Sequence, residues 1–197
     1  MSEALNADLE GARAALDLIT GRRTAHKYAA GAVHPDVLSQ AIQAANAAPN
    51  HKHTWPWRFT VVGPEARKHI AEVALEKAAQ KSGGTLAEPR RTLIEEKVVN
   101  PGALVVVTQV LSPDPHRAQE DYASVACAIQ NFTLVAHAAG YGTKWSTGSL
   151  TRLPEVIEAV GIDLETEGVV GFIWMGVPKY GAEVNRPPVE AITRQTA

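Results

Sequence analysis

Three residues near the amino terminus have the types and spacing to hold an anion. Arg22 and Arg23 are adjacent guanidinium groups followed by the hydroxyl of Thr24, a compact donor set able to grip a phosphate with charge-assisted hydrogen bonds. The same pair also suits a helix end, where cations face the negative pole of the helix dipole. The residue types alone leave both roles open. Arg186, in the carboxy-terminal tail, is a second candidate phosphate donor, although an exposed tail arginine is the plainer reading. Between them lies Pro49-Asn50-His51-Lys52-His53-Thr54-Trp55-Pro56-Trp57, whose prolines and tryptophans mark a stiff, aromatic-lined connection. Trp55 and Trp57 can serve as core anchors or as walls of an aromatic pocket, and at least one is expected in the core. His51 is a loop histidine bonded to backbone, or a flat polar ring lying against another ring.

Other chemistries find little support. His26, His51 and His53 could form a metal-binding module, but the sequence has neither a cysteine pair nor the helical His-Glu-x-x-His spacing. There is no Gly-x-Ser-x-Gly elbow, and Cys127, the single cysteine, sits in the apolar run from Ala123 to Ala128, where a buried inert thiol is expected. Gly140-Tyr141-Gly142-Thr143-Lys144 lacks the third glycine of a dinucleotide fingerprint and follows a helix instead of a strand. If the protein does redox chemistry, a nicotinamide visits and another cofactor stays.

The elements that must position these residues are legible in the hydrophobic spacing. Leu9, Ala12, Leu16 and Ile19 predict a helix closed at Gly21 by a left-handed turn, so Arg22 begins just past its end. Pro35 opens a second helix that stops before Pro49. Strands are expected at 58–62, at 103–110 and at 169–175; the second is a β-branched and leucine-rich run and should be central, buried on both faces. Helices are expected at 65–80, 90–98 and 154–160. The long helix from His116 to Ala139 is small and apolar on most sides and should be enclosed nearly all round, by a core or by a subunit interface. Residues 145–149 read as a polar loop with ligand-facing backbone.

The chain has 197 residues, 45% hydrophobic and 20% charged, with a net charge of −2. This suits one α+β domain over 1–197 with its own core. It also argues against nucleic acid or an anionic membrane as a partner, so any bound anion must be caught locally. The amino terminus lacks the features of a signal peptide, and no segment approaches the roughly 18 apolar residues of a membrane span. A cytoplasmic protein is expected. The tail, 179–197, has too few apolar residues for its own core and must lie on another surface.

Taken in order, the early helix before Arg-Arg-Thr, the segment Ala47-Ala48-Pro49-Asn50-His51-Lys52-His53-Thr54-Trp55-Pro56-Trp57, the loop Gly142-Thr143-Lys144-Trp145-Ser146-Thr147-Gly148 and the late Gly176-Val177-Pro178 resemble the short branch of the nitroreductase family. The resemblance implies a central, mainly antiparallel sheet flanked by helices, and an intertwined homodimer whose tails pack on the partner subunit. It implies FMN, bound without a covalent link at sites lined by both chains. NAD(P)H would deliver a hydride and an electron-poor acceptor, such as a nitroaromatic or a quinone, would then take its place in ping-pong order. Arg22, Arg23 and Thr24 would hold the phosphate and ribityl end, together with Arg186. His51 from the second subunit would lie beside the flavin, with Trp145, Ser146 and Thr147 bounding the ring. No side chain is required as an obligatory acid or base.

Two positions depart from the family pattern. His26 stands where relatives often carry arginine or lysine near the flavin's pyrimidine edge, and a histidine stabilises an anionic reduced flavin only when protonated. Trp55 replaces a common glutamine, which implies a more closed, aromatic cavity. A flavin-sequestering protein without turnover, and a flavoenzyme acting on one specific metabolite, are the competing expectations.

Overall fold

The computed structural model describes residues 8–179 and 183–196. Four strands form one antiparallel sheet in the order β1-β2-β4-β3: β1 (Trp57–Val61), β2 (Ala103–Val110), β3 (Gly142–Ser146) and β4 (Glu167–Gly176). β2 is central and buried along seven of its eight residues, as its unbroken β-branched and leucine-rich run requires. Its side chains alternate between two cores. Ala103, Val105 and Val107 meet α2 (Pro35–Asn46) and α5 (Pro115–Ala138), whereas Leu104 and Val106 meet α3 (Pro64–Lys81), α4 (Glu88–Val99) and α6 (Pro154–Ala159).

One side chain ties the second layer together. The Arg67 guanidinium on α3 donates to the carbonyls of Val98 and Val99, both at 2.9 Å, and to Pro101. It thereby satisfies the orphan carbonyls at the end of α4 and fixes the turn into β2. Burial holds its pKa below the usual arginine range.

The functional residues depend on a segment that the sequence leaves as coil. After α1 (Leu9–Gly21) the chain runs extended along the free edge of β3 and past the end of β4. Thr24 bridges Thr143, Ala25 N–H donates to the Thr143 carbonyl at 2.9 Å, and Ala29 N–H donates to Val177 at 2.9 Å. Lys179 N–H returns a bond to Lys27 at 3.0 Å. Tyr28 is buried, its hydroxyl donating to the Ala25 and Trp174 carbonyls, and burial raises its phenol pKa.

Several expectations need correction. Gly21 is the last helical residue and does not adopt a left-handed turn; Arg22 follows it in extended conformation. Residues 145–146 belong to β3, because antiparallel pairing with β4 extends through Ser146↔Phe172. Within one chain α5 is buried on one face only. The stripe Asp121, Ser124, Val125, Ala128, Ile129, Phe132 and Ala136 meets the core, and Cys127, lying off that helical stripe, is exposed. No helix among the described residues is long and apolar enough to cross a membrane.

Close approach of the edge segment requires a glycine at 142. A Cβ there would stand 2.6 Å from the Ala25 Cβ and 2.9 Å from that of Pro178, and neither is the end of a flexible side chain. Gly142→Ala is expected to destabilise the fold by about 2–3 kcal/mol, lowering the melting temperature by roughly 4–10 °C. Thermal unfolding followed by circular dichroism checks this.

Candidate functional site

The two possible roles of the arginine pair are divided between its members. Arg23 turns back onto α1 and donates to the Thr20 carbonyl and, at 3.0 Å, to that of Arg22, so it satisfies the helix end. Arg22 instead lies near Arg186. Burial first, and then the charges of Arg186 and Arg23, hold its guanidinium below the usual arginine range. The tail thus returns a third cation to the start of the edge segment. Among the described residues none of these three arginines forms an ion pair with a carboxylate. Three like charges drawn together in this way repel one another, and a multivalent anion would relieve that repulsion.

Thr24 continues this set along β3, and the extended backbone carries His26 onward to a cavity of about 660 Å³. Ser146, at the far end of β3, borders the same cavity. The other two residues expected beside a ring face elsewhere. Trp145 lies on the opposite sheet face, half-exposed over Gly171, with its indole N–H 3.4 Å from the Val170 carbonyl. Thr147 borders a second cavity of about 650 Å³ with Tyr122 and Arg152. For Trp145 strand alternation is the cause, since consecutive residues of β3 point to opposite faces; Thr147 lies just past the strand's end.

His51 is exposed in a short 3₁₀ turn over 51–53, away from the residues that line the His26 cavity. The turn has an unusual backbone. Lys52, His53 and Trp55 all have positive φ, at 63°, 53° and 46°, a region that costs non-glycine residues free energy and persists only where surrounding contacts impose it. Those contacts centre on Asn50, which accepts from Trp55 N–H at 2.8 Å and donates to Ser124 at 3.2 Å. Thr54 donates to the buried Asp121 carboxylate at 2.5 Å. The two tryptophans differ in burial, and one of them is the core anchor expected. Trp57 is 5% exposed and donates to Asn46 at 3.0 Å, whereas Trp55 is 49% exposed and stacks on His53 with ring centroids 5.2 Å apart.

Sequence reasoning missed Lys97 and Lys144, which also line the His26 cavity. Strand periodicity could have found Lys144, because it shares a face of β3 with Ser146. It also missed the Asn50–Thr54–Asp121 anchor, which joins residues about 70 positions apart and has no local signature.

The arginine cluster predicts a response to inorganic phosphate in the absence of any flavin. Phosphate should raise the melting temperature of the flavin-free protein, and Arg22→Gln should remove most of that rise. Arg186→Ala should leave the phosphate-free melting temperature unchanged or higher, because it relieves like-charge repulsion, while weakening phosphate binding. Differential scanning fluorimetry across a phosphate series reads both effects.

Comparison with known proteins gives the family. The model of the Nitroreductase family matches residues 19–177. YfhC of Bacillus subtilis (strain 168), named as a candidate NAD(P)H nitroreductase, is 30% identical over 172 residues, covering 86% of this chain and 87% of its own. A nitroreductase-like family protein from Bacillus cereus shares the fold with a TM-score of 0.78 at 26% identity, over 100% of this chain and 98% of that one. A Desulfovibrio desulfuricans structure, titled as a candidate nitroreductase in complex with FMN, has a TM-score of 0.71 at 20% identity, over 92% of this chain and 96% of its own. With the match spanning both the arginine segment and the close of β4, the chain belongs to the nitroreductase family.

Proposed function

We propose that the protein is an FMN-dependent oxidoreductase that passes a hydride from NAD(P)H to an electron-poor acceptor. The observation that carries this reading is the convergence of Arg22, Arg23 and Arg186, without a carboxylate partner among the described residues, at the head of a segment leading to a cavity. A phosphorylated ligand with a flat body fits that order of groups. The FMN complex of the Desulfovibrio relative and the candidate NAD(P)H nitroreductase name of YfhC support the same cofactor and donor.

In this reading Arg22 and Arg186 bind the phosphate, and Thr24 supplies a hydroxyl donor one step along β3. His26 and Ser146 border the ring, and the carbon walls of the cavity exclude water. When bound, FMN supplies two-electron chemistry, accepting a hydride from nicotinamide and passing it to an acceptor such as a nitroaromatic or quinone. The side chains orient and hold charge; none is assigned as an obligatory acid or base. His26 places a polar ring at the cavity, where a donor would stabilise negative charge developed on the ligand.

The site is completed, in this proposal, by a second copy of the chain. α1 buries none of its 13 residues within one chain and leaves Leu9, Leu16 and Ile19 exposed. A helix of that length is marginal without an apolar face to rest on. The tail likewise exposes Val189 at 67% and Ile192 at 73%. Docking of both on a partner would bring the anchored His51–Trp55 loop of one subunit to the cavity of the other.

Visible absorption of the purified protein after incubation with FMN tests the reading, followed by anaerobic addition of NADH or NADPH. Retained flavin absorbance that bleaches with a nicotinamide and returns with a quinone is expected. Protein that stays colourless refutes the cofactor; retained flavin that neither nicotinamide bleaches refutes the oxidoreductase. His26→Gln should shift the flavin midpoint potential.

A further inference from the structure

The cavity beside His26 has two unlike walls. Leu93, Ile94 and Trp174 present aliphatic and aromatic surface. Lys27, Lys97, Lys144 and Lys179 border the same space against one carboxylate, Glu96. Such a local excess of cations is unexpected in a chain of net charge −2, and a low-dielectric cleft lined by one sign of charge concentrates ligands of the other.

Lys144 is the most informative of these residues. It pairs with Trp174 in the β3–β4 register, so its side chain projects on the α3 and α4 side of the sheet. The residue is half-buried. Burial, and then the charge of Lys97 on α4, lower its pKa. Neither Lys97 nor Lys144 forms an ion pair among the described residues. Glu96 borders the cavity without neutralising either ammonium through a close contact. Two ammonium groups held near each other, one withdrawn from water and neither compensated, are unfavourable in the empty protein. They become favourable when a ligand brings the missing negative charge.

That charge is not the one assigned to the phosphate. The arginine cluster at the start of the edge segment already serves that group, and the lysines sit on different elements, β3 and α4. The carbon walls between them favour a flat body. We propose that Lys97 and Lys144 recognise a carboxylate carried by a flat aromatic acceptor, and thereby select acidic acceptors over neutral ones of the same shape. The proposal deepens the oxidoreductase reading above and rests on it.

Benzoate and benzamide are matched probes that differ in charge while keeping the same shape, and neither is reducible at the flavin. Titrated into FMN-saturated protein at low ionic strength and followed by calorimetry, benzoate should bind at least about tenfold more tightly than benzamide. The preference should shrink as salt is added. Lys144→Met and, independently, Lys97→Met should bring the two probes within about threefold of each other, while Lys144→Arg keeps most of the preference. Circular dichroism and retained flavin absorbance identify the variants that fold. Equal affinity for both probes in the parent overturns the proposal, as does an unchanged benzoate preference in both folded methionine variants. A Lys144→Met protein with a shifted flavin midpoint potential and an intact benzoate preference also overturns it, by assigning the pair to the cofactor. Failure of the parent to take up FMN refutes the oxidoreductase reading instead, and the same titration on the flavin-free protein still measures the charge preference of the cavity.

Discussion

Backbone pairing between residues 24–29 and the open side of the sheet is the constraint on which the site depends. α1 buries none of its residues and so does little to aim those after it. The bonds from Ala25 to Thr143 and from Ala29 to Val177 supply that aim. They fix a polar segment by main-chain geometry, so its side chains are free to carry charge. Gly142 allows the approach because Ala25 occupies the space where a side chain would stand. Sheet and segment together set Arg22 at one end and His26 at the other, with an extended run of chain between them.

The arrangement of charge follows from that geometry. Arg23 is offset by the carbonyls at the end of α1, whereas Arg22 has Arg186 as its neighbour. A second cationic group gathers around Lys144, beyond His26. The molecule has a net charge of −2, so these concentrations are local and are balanced by acids elsewhere on the surface. Each gathers like charges in the empty protein, which lowers stability, and each gains when an anion arrives. Binding sites commonly show this exchange of stability for affinity.

Much of this was legible in the sequence, for identifiable reasons. β2 was readable because a run of apolar and β-branched residues, Ala103 to Thr108, suits a strand covered on both sides. Arg22-Arg23-Thr24 was readable as a donor set, but the division of labour inside it was not, because that depends on where α1 ends in space. The burial expected of Cys127 failed because local apolarity was weighed above helical period; counting from Asp121, Ser124, Ala128 and Phe132 puts residue 127 off the buried stripe. Residues 145–146 were taken for loop because tryptophan, serine and glycine obscure a strand whose order comes from β4. Lys97 comes to the cavity that Lys144 borders only through tertiary packing, and nothing in the segment around Lys97 announces it.

Trp55 closes a turn whose backbone is strained at residues without glycine. Positive φ at three residues of a six-residue stretch is held by Asn50 and Asp121 rather than by glycine, and the product is an exposed indole stacked on an imidazole. In the proposed function the phosphate is held at the head of the edge segment, by Arg22 and Arg186. Comparing FMN with riboflavin tests it most directly, because the two differ only in that phosphate. Fluorescence titration should show FMN binding at least about a hundredfold more tightly, the equivalent of two charge-assisted contacts. Equal affinity for the two flavins would contradict the account.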